Sequence, residues 1–227
     1  MRRQSVHCVL ILSILLFQAC ASAPVPEDPP FTAEVVSTPP GLEVTLDGKV
    51  IGKAPLDVPL RSFDDAVGFS TTQDAPPVIE RRVTILGQDR IRVSIVLGDT
   101  PSPLAQKLGL SRVVVFDYGA NTTFDSSKAE LKPDFLPLLD GQAETLKSFF
   151  DGVDIYLCGH TDSTGSEDTN RLLSVQRAQA VADHLIAHGL PKDRILVQGF
   201  GSDFPIADNR TADGRAQNRR TEIVLPD

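Results

Sequence analysis

Between residues 159 and 177 the chain sets a carboxylate, a run of hydroxyls and a guanidinium within reach of one another. Asp162 lies in the loop-like stretch Gly159-His160-Thr161-Asp162-Ser163-Thr164-Gly165, and Asn170, Leu173-Ser174 and Arg177 follow. Residues 168–188 read as a helix that Gly189 ends. With Asn170 at zero on a wheel of ~100° per residue, Ser174 falls at about 40° and Arg177 at about 340°. These three share a polar stripe. Val175, Ala178, Val181, Ala182, Leu185 and Ile186 fill the neighbouring arc as a core face. Helical side chains lean toward the N-terminus, so Arg177 can approach Asp162 without touching it. Arg177 offers a planar fork for a carboxylate, and Asp162 an anion for an ammonium. A ligand carrying both groups could sit between them. Spacing alone leaves a plain surface salt bridge equally open.

Other reactive residue types point to less. His184 and His188 stand four apart near the end of the same helix, a spacing that can chelate zinc. Residue 185 is Leu where a His-Glu-x-x-His site would have Glu, so both histidines are expected to be solvated helix-terminal residues, and no metal is expected. Cys158 sits in an apolar run and reads as a small buried hydrophobe. A formal charge of −8 argues against a nucleic-acid role, which needs a basic surface.

The elements that must position these groups follow from periodicity. Val113 to Phe116 is a strand. Leu131 to Phe150 carries apolar residues at helical spacing, with Pro133 and Pro137 tolerable only near its start. Strands follow at Val153-Ile155-Leu157, Ile195-Val197 and Ile223-Leu225. The order βαβαβ…β implies an α+β layer sandwich with helices on one face of a mixed sheet.

Further downstream stand Gly199-Phe200-Gly201, Pro205, Asn209 and Gly214-Arg215-Ala216-Gln217-Asn218-Arg219-Arg220. With Gly159 to Arg177, these residues resemble the OmpA-like peptidoglycan-binding domain in type, order and spacing, over about residues 112–227. The resemblance implies a non-enzymatic fold that holds diaminopimelate of the peptidoglycan stem peptide, the residue matching Asp162 taking the amine and that matching Arg177 the carboxylate. Thr161, Asn170 and Leu173 match positions lining the pocket, and Arg220 matches a position near it. Asn218 and Arg219 are read as structural, Gly199, Gly201 and Gly214 as turn residues, and His160 as positioning the loop. No cofactor is implied.

Upstream, residues 33–98 read as a small all-β sandwich. Glu34 to Ser37, Leu42 to Leu46, Arg82 to Leu86 and Ile91 to Leu97 are strands, Asp47-Gly48 is a hairpin turn, and 62–79 is expected to be a polar loop. Ser37-Thr38-Pro39-Pro40-Gly41, Val44, Asp47-Gly48, Gly52 and Pro55 resemble a PEGA domain. Residues 99–111 read as a linker, and the proline-rich residues 20–32 as a semi-rigid spacer. Residues 1–19 carry Arg2, Arg3 and an apolar run, Val9 to Phe17, of about nine residues, which suits a signal peptide and is too short to span a bilayer. Phe17-Gln18-Ala19-Cys20 resembles a lipobox, which implies lipidation of Cys20. Ala21, where Asp signals inner-membrane retention, favours the outer membrane.

The function expected from these parts is an outer-membrane lipoprotein, facing the periplasm, that tethers the membrane to peptidoglycan. An adaptor subunit of an envelope complex, recruiting an envelope protein through residues 33–98, is the alternative. A peptidoglycan hydrolase would need a metal cluster, paired carboxylates or an activated nucleophile, and no such constellation is legible.

Overall fold

The computed structural model describes residues 31–73, 76–87, 89–119, 123–125 and 127–227. The expected signal peptide, Cys20 and the spacer up to residue 30 lie outside the described residues. Among the described residues no helix is long and apolar enough to cross a membrane.

The first half is built of β1 (Phe31–Thr38), β2 (Glu43–Leu46), β3 (Lys49–Lys53), β4 (Leu56–Leu60), β5 (Phe69–Thr71), β6 (Val78–Ile85) and β7 (Arg90–Leu97). Asp47 and Gly48, at φ 50° and 75°, make the tight turn between β2 and β3. The second half runs α1 (Pro103–Leu108), β8 (Val113–Gly119), α2 (Leu136–Phe149), β9 (Ile155–His160), α3 (Glu167–Ala187), β10 (Ile195–Gly199), α4 (Ala212–Asn218) and β11 (Arg220–Pro226). A 3-10 turn at Pro133–Phe135 leads into α2, so both prolines do fall at its start.

Eight strands form one sheet in the order β10-β9-β11-β8-β6-β7-β1-β4, and β3-β2-β5 form a second, smaller sheet. β10 runs parallel to β9, while β11 runs antiparallel to both β9 and β8, as expected for a mixed sheet. Residues 33–98 are indeed β-rich, but they do not stand apart as a sandwich. β6 pairs in parallel with β8, from Glu80↔Val113 to Thr84↔Asp117, and fuses the two halves. The two strands alternate in phase: Val83 lies beside Phe116 on the apolar side, and Arg82 beside Val115 on the other. A slip by one residue would turn every one of these side chains over.

Three further expectations are corrected. The 62–79 stretch, expected to be a polar loop, holds a 3-10 turn at Phe63–Gly68 and strand β5, because Phe69, fully buried, pairs opposite Leu46 and fills the first-half core. The 99–111 stretch, expected to be a linker, contains α1, capped by Ser102, with Leu104 and Ala105 buried. Helices do not cover one face alone. α2 and α3 pack on the face bearing Phe116, Leu157, Ile223 and Leu225, while α1 and the loop at Phe200–Phe204 cover Val113, Val115, Cys158 and Val224 on the other. Cys158 is buried, as expected.

The face that α3 buries carries Ala178, Val181, Ala182 and Leu185, all fully inaccessible. Truncating Leu185 to Ala is expected to cost ~2–5 kcal/mol. The helix sits unusually close to the sheet. A Cβ on Gly159 would lie 2.0 Å from the Ser174 carbonyl oxygen, and one on Gly199 2.4 Å from a Val175 methyl. Gly199 thus serves close packing rather than a turn, and so does Gly214, whose Cβ would meet Asp208 O at 2.1 Å; Gly201, at φ 53°, is the turn residue.

Candidate functional site

β9 ends at His160 and the chain passes through 161–166 into α3. Ser166 begins the helix by accepting from the Thr169 amide, with Glu167 and Asp168 in the first turn. The loop is held from three sides. Thr161 N donates to Gly201 O at 2.8 Å. Asn170 Nδ2 donates to the carbonyls of Asp162 (3.3 Å) and Thr164 (3.0 Å). Ser163 N donates to Asn209 Oδ1, which also accepts from Asn218. Asn218 in turn accepts from the Ile206 and Ala207 amides, so its structural reading fits its contacts.

Above this loop opens a cleft of about 650 Å³, lined by Thr161, Asp162, Thr164, Gly165, Asn170, Leu173 and Arg177, with Phe124, Asp125, Arg215 and Arg219 completing the wall. Five of the six sequence-derived residues therefore meet in one place. Asp162 Oδ1 accepts from the Thr164 amide at 2.8 Å, and Oδ2 from Arg219 Nη1 at 2.6 Å. Burial pushes its carboxyl up, but Arg219 and Thr164 outweigh this and hold it below the usual carboxylate range. Arg177 is almost fully buried, yet among the described residues it pairs with no carboxylate. Its Nε donates to Lys128 O at 2.9 Å, and its guanidinium carbon stands 5.1 Å from the centre of the Phe124 ring. Burial lowers its pKa, Arg219 lowers it further, and Asp162 opposes both. Thr161 Oγ1 is buried without a hydrogen-bond partner among the described residues.

Asp162 and Arg177 thus share a cleft without satisfying each other. The anion is braced by a different arginine, and Arg177 keeps its outer donors free of acid partners among the described residues. Such a site can orient a ligand by an ammonium at one end and a carboxylate at the other. Among the described residues it offers no activated nucleophile. Among the described residues the converging His/Cys/Asp/Glu group, Asp140, His184 and His188, lies outside the cleft on α2 and α3.

Arg220 is the sixth sequence-derived residue, and it is not in the cleft. Its side chain is buried on the opposite face of the sheet, where Nε donates to Glu222 Oε1 at 2.7 Å and Nη2 to Phe204 O at 3.1 Å. Arg219, read from sequence as structural, occupies the cleft instead. The alternation along β11 contains the signal: Ile223 and Leu225 face α2 and α3, so position 219 shares their side and position 220 does not. His160 also lies on the far face, 1% exposed, stacked on Phe200 at 5.6 Å. Arg215 was missed because nothing in the sequence marks α4 as a wall of the cleft.

The OmpA family model matches residues 123–219, a span that contains every cleft residue named above. The chain is 47% identical over 112 residues to the probable lipoprotein YiaD of Escherichia coli, covering 49% of this chain and 51% of YiaD. It is 41% identical over 141 residues to outer membrane protein A of Bordetella avium, covering 62% of this chain and 68% of that protein. It is 36% identical over 202 residues to the peptidoglycan-binding protein ArfA of Mycobacterium tuberculosis, covering 87% of this chain and 57% of ArfA. The chain therefore spans little more than half the length of YiaD and of ArfA.

Proposed function

The chain belongs to the OmpA family, and from that premise we propose that it binds peptidoglycan through the cleft above α3, as a non-catalytic tether. The observation that carries this reading is that Asp162 and Arg177 face one cleft without pairing with each other. Diaminopimelate of the stem peptide carries an ammonium and a carboxylate on one carbon. Its ammonium would join Arg219 as a second partner of Asp162, and its carboxylate would take the outer donors of Arg177, replacing a missing charge partner rather than competing with one. Thr161 and Asn170 shape the loop that presents Asp162, and Leu173 gives the cleft an apolar side.

The remaining parts of the reading are a lipid on Cys20, an outer-membrane location facing the periplasm, a stand-off through residues 20–32 and a PEGA-like module over 33–98. At ~3.1 Å per residue for an extended proline-rich segment, residues 21–30 would reach about 30 Å. Lipidation is tested by mass spectrometry of the purified N-terminus, where an unmodified Cys20 would remove the anchor from the model of function.

Binding to purified sacculi is the direct test. Wild type should co-sediment, and Asp162→Ala and Arg177→Ala should each lose at least about tenfold in affinity, ~1.4 kcal/mol. A stem peptide with lysine in place of diaminopimelate lacks the second carboxylate and should bind as weakly as Arg177→Ala binds the native peptide. Undiminished binding by both variants removes the pocket from the function.

One observation favours an adaptor role beside the tether. Val50 and Ile51, 57% and 37% exposed, stand on β3 at the edge of the smaller sheet. Replacing both with Ser should release an envelope partner that co-purifies stoichiometrically with wild type while leaving sacculus binding intact.

A further inference from the structure

We propose that Asp140, His184 and His188 form a zinc-class transition-metal site that joins α2 to α3. Asp140 projects from α2, His184 from the last turn of α3, and His188, four residues on, is the residue that caps the helix. His184 Nε2 lies 2.7 Å from Asp140 Oδ1, and His188 Nε2 lies 3.1 Å from the same oxygen. The sequence offered only the two histidines and led to an expectation of no metal. Asp140 is the third ligand, and it comes from a helix 44 residues earlier in the chain.

The hydrogen bonding around His188 fixes which nitrogen faces the cluster. Its Nδ1 is 2.8 Å from the His184 carbonyl oxygen. A carbonyl only accepts, so Nδ1 carries the hydrogen, and in the neutral ring Nε2 presents a lone pair to a carboxylate oxygen. A cation draws two such acceptors together, and it is either a proton on Nε2 or a metal ion in that proton's place. An imidazole whose far nitrogen is tied to a backbone carbonyl is also the usual arrangement around a protein-bound metal. The stacked rings of His184 and His188, 4.2 Å apart, hold both nitrogens on the same side.

Distances and access suit an ion. Tetrahedral zinc with bonds of about 2.0–2.1 Å sets its ligand atoms about 3.3 Å apart. The His188 pair is already close to this, and the His184 pair needs to open by about half an ångström. Two imidazoles and one carboxylate match the donor preference of Zn²⁺ and leave a fourth position for water. Asp140 and His188 side chains are 49% and 40% exposed, so an ion can enter from solvent. Of the four histidines in the chain, His7 lies in the expected signal peptide and His160 is 1% exposed, which leaves no other histidine pair for chelation. The site lies outside the cleft lining and does not depend on the peptidoglycan reading.

The test is a calorimetric titration of the chelator-stripped, purified full chain with Zn²⁺, repeated with His184→Ala, His188→Ala and Asp140→Asn. Wild type should take up one equivalent saturably. Each histidine variant should bind at least tenfold more weakly, and Asp140→Asn should fall between. Zn²⁺ should raise the thermal midpoint of wild type by mass action and leave that of His184→Ala unmoved. Co²⁺ should give a visible absorption band in wild type that both histidine variants lose, and circular dichroism of the variants confirms that they are folded. Absence of saturable uptake by wild type, or equal uptake by the His184→Ala/His188→Ala double variant, overturns the site.

Discussion

Arg219 reaches Asp162 at 2.6 Å at the wall of the cleft, while its neighbour Arg220 reaches Glu222 at 2.7 Å on the far face of the sheet. The Arg219 side chain is 32% exposed and that of Arg220 2%. Arg82 crosses from β6 to join the second group, contacting Glu222, Asp117 and Glu80. The two regions use the same residue types for opposite ends. Around Asp162, solvent and an open volume leave room for exchange of partners. Around Glu222, burial leaves none: Arg220 pairs with it from the same strand, and Arg82 pairs with it and with Asp117 across the seam between the two halves of the protein. An ion pair at a binding site must be incomplete to be useful, and one in an interior must be complete to be tolerated.

The comparison breaks most visibly if Arg220 is removed. Arg220→Ala strips Glu222 of one of its two guanidinium partners and is expected to cost ~3–5 kcal/mol in urea unfolding. A loss below about 1 kcal/mol would mean that the far-face cluster behaves like a surface pair. Next is pH. Burial pushes Asp117 up to about 6 from its ordinary 3.8, with Arg82 pulling back and Glu222 adding to the rise. The folded protein then keeps a proton that the unfolded chain has lost, so the stability from Asp117 falls as pH rises through that window. His160 works against it: burial, then Arg220, lowers it from 6.5, so its contribution is lost as pH falls through 6.5. Below about pH 6 the two slopes oppose each other. Asp117→Asn should therefore steepen the acid-side loss of stability, and His160→Gln should reverse its sign. Parallel profiles for wild type and both variants would refute the opposition.

Smaller effects lie at the cleft. Arg177→Ala should weaken sacculus binding at least tenfold while costing only ~0.5–2 kcal/mol of stability through the lost Phe124 contact. The smallest change in stability is expected for Arg219→Ala, ~0–1 kcal/mol, as for other accessible pairs. Its signature is local: the Asp162 carboxyl, held down chiefly by Arg219, should titrate at higher pH by NMR.

How much of this was legible differs between the same two regions. The α3 stripe of Asn170 and Arg177, the loop before it and the order of strands and helices along the second half follow from helical and strand periods and from a motif spread over 159–220. The identity of the cleft arginine was misplaced by one residue, because Asn-Arg-Arg gives residue types without phase, and in a strand one position reverses the face. Extending the Ile223/Leu225 alternation back to 219 recovers it. The far-face cluster was not legible at all. It depends on β6 pairing with β8, a contact between segments that the sequence presents as separate modules, and no local pattern announces a parallel pairing across a helix. Phe69 and α1 were missed for a related reason: short segments carry too few periods to reveal which side they bury.

The fused sheet has a mechanical consequence. β1 enters it at Phe31, with β4 paired along one edge over Phe31–Val35 and β7 along the other over Thr32–Thr38. Tension applied to the chain ahead of Phe31 and resisted at the cleft pulls β1 lengthwise, so the bonds on both flanks are sheared together instead of being peeled in turn. From β1 the load passes through β7, β6 and β8 to β11 and β9, the strand that leads directly into the Asp162 loop. The seam at β6 and β8, with Arg82 pinned across it, then acts as a rivet in a single load path between the N-terminal strand and the Asp162 loop.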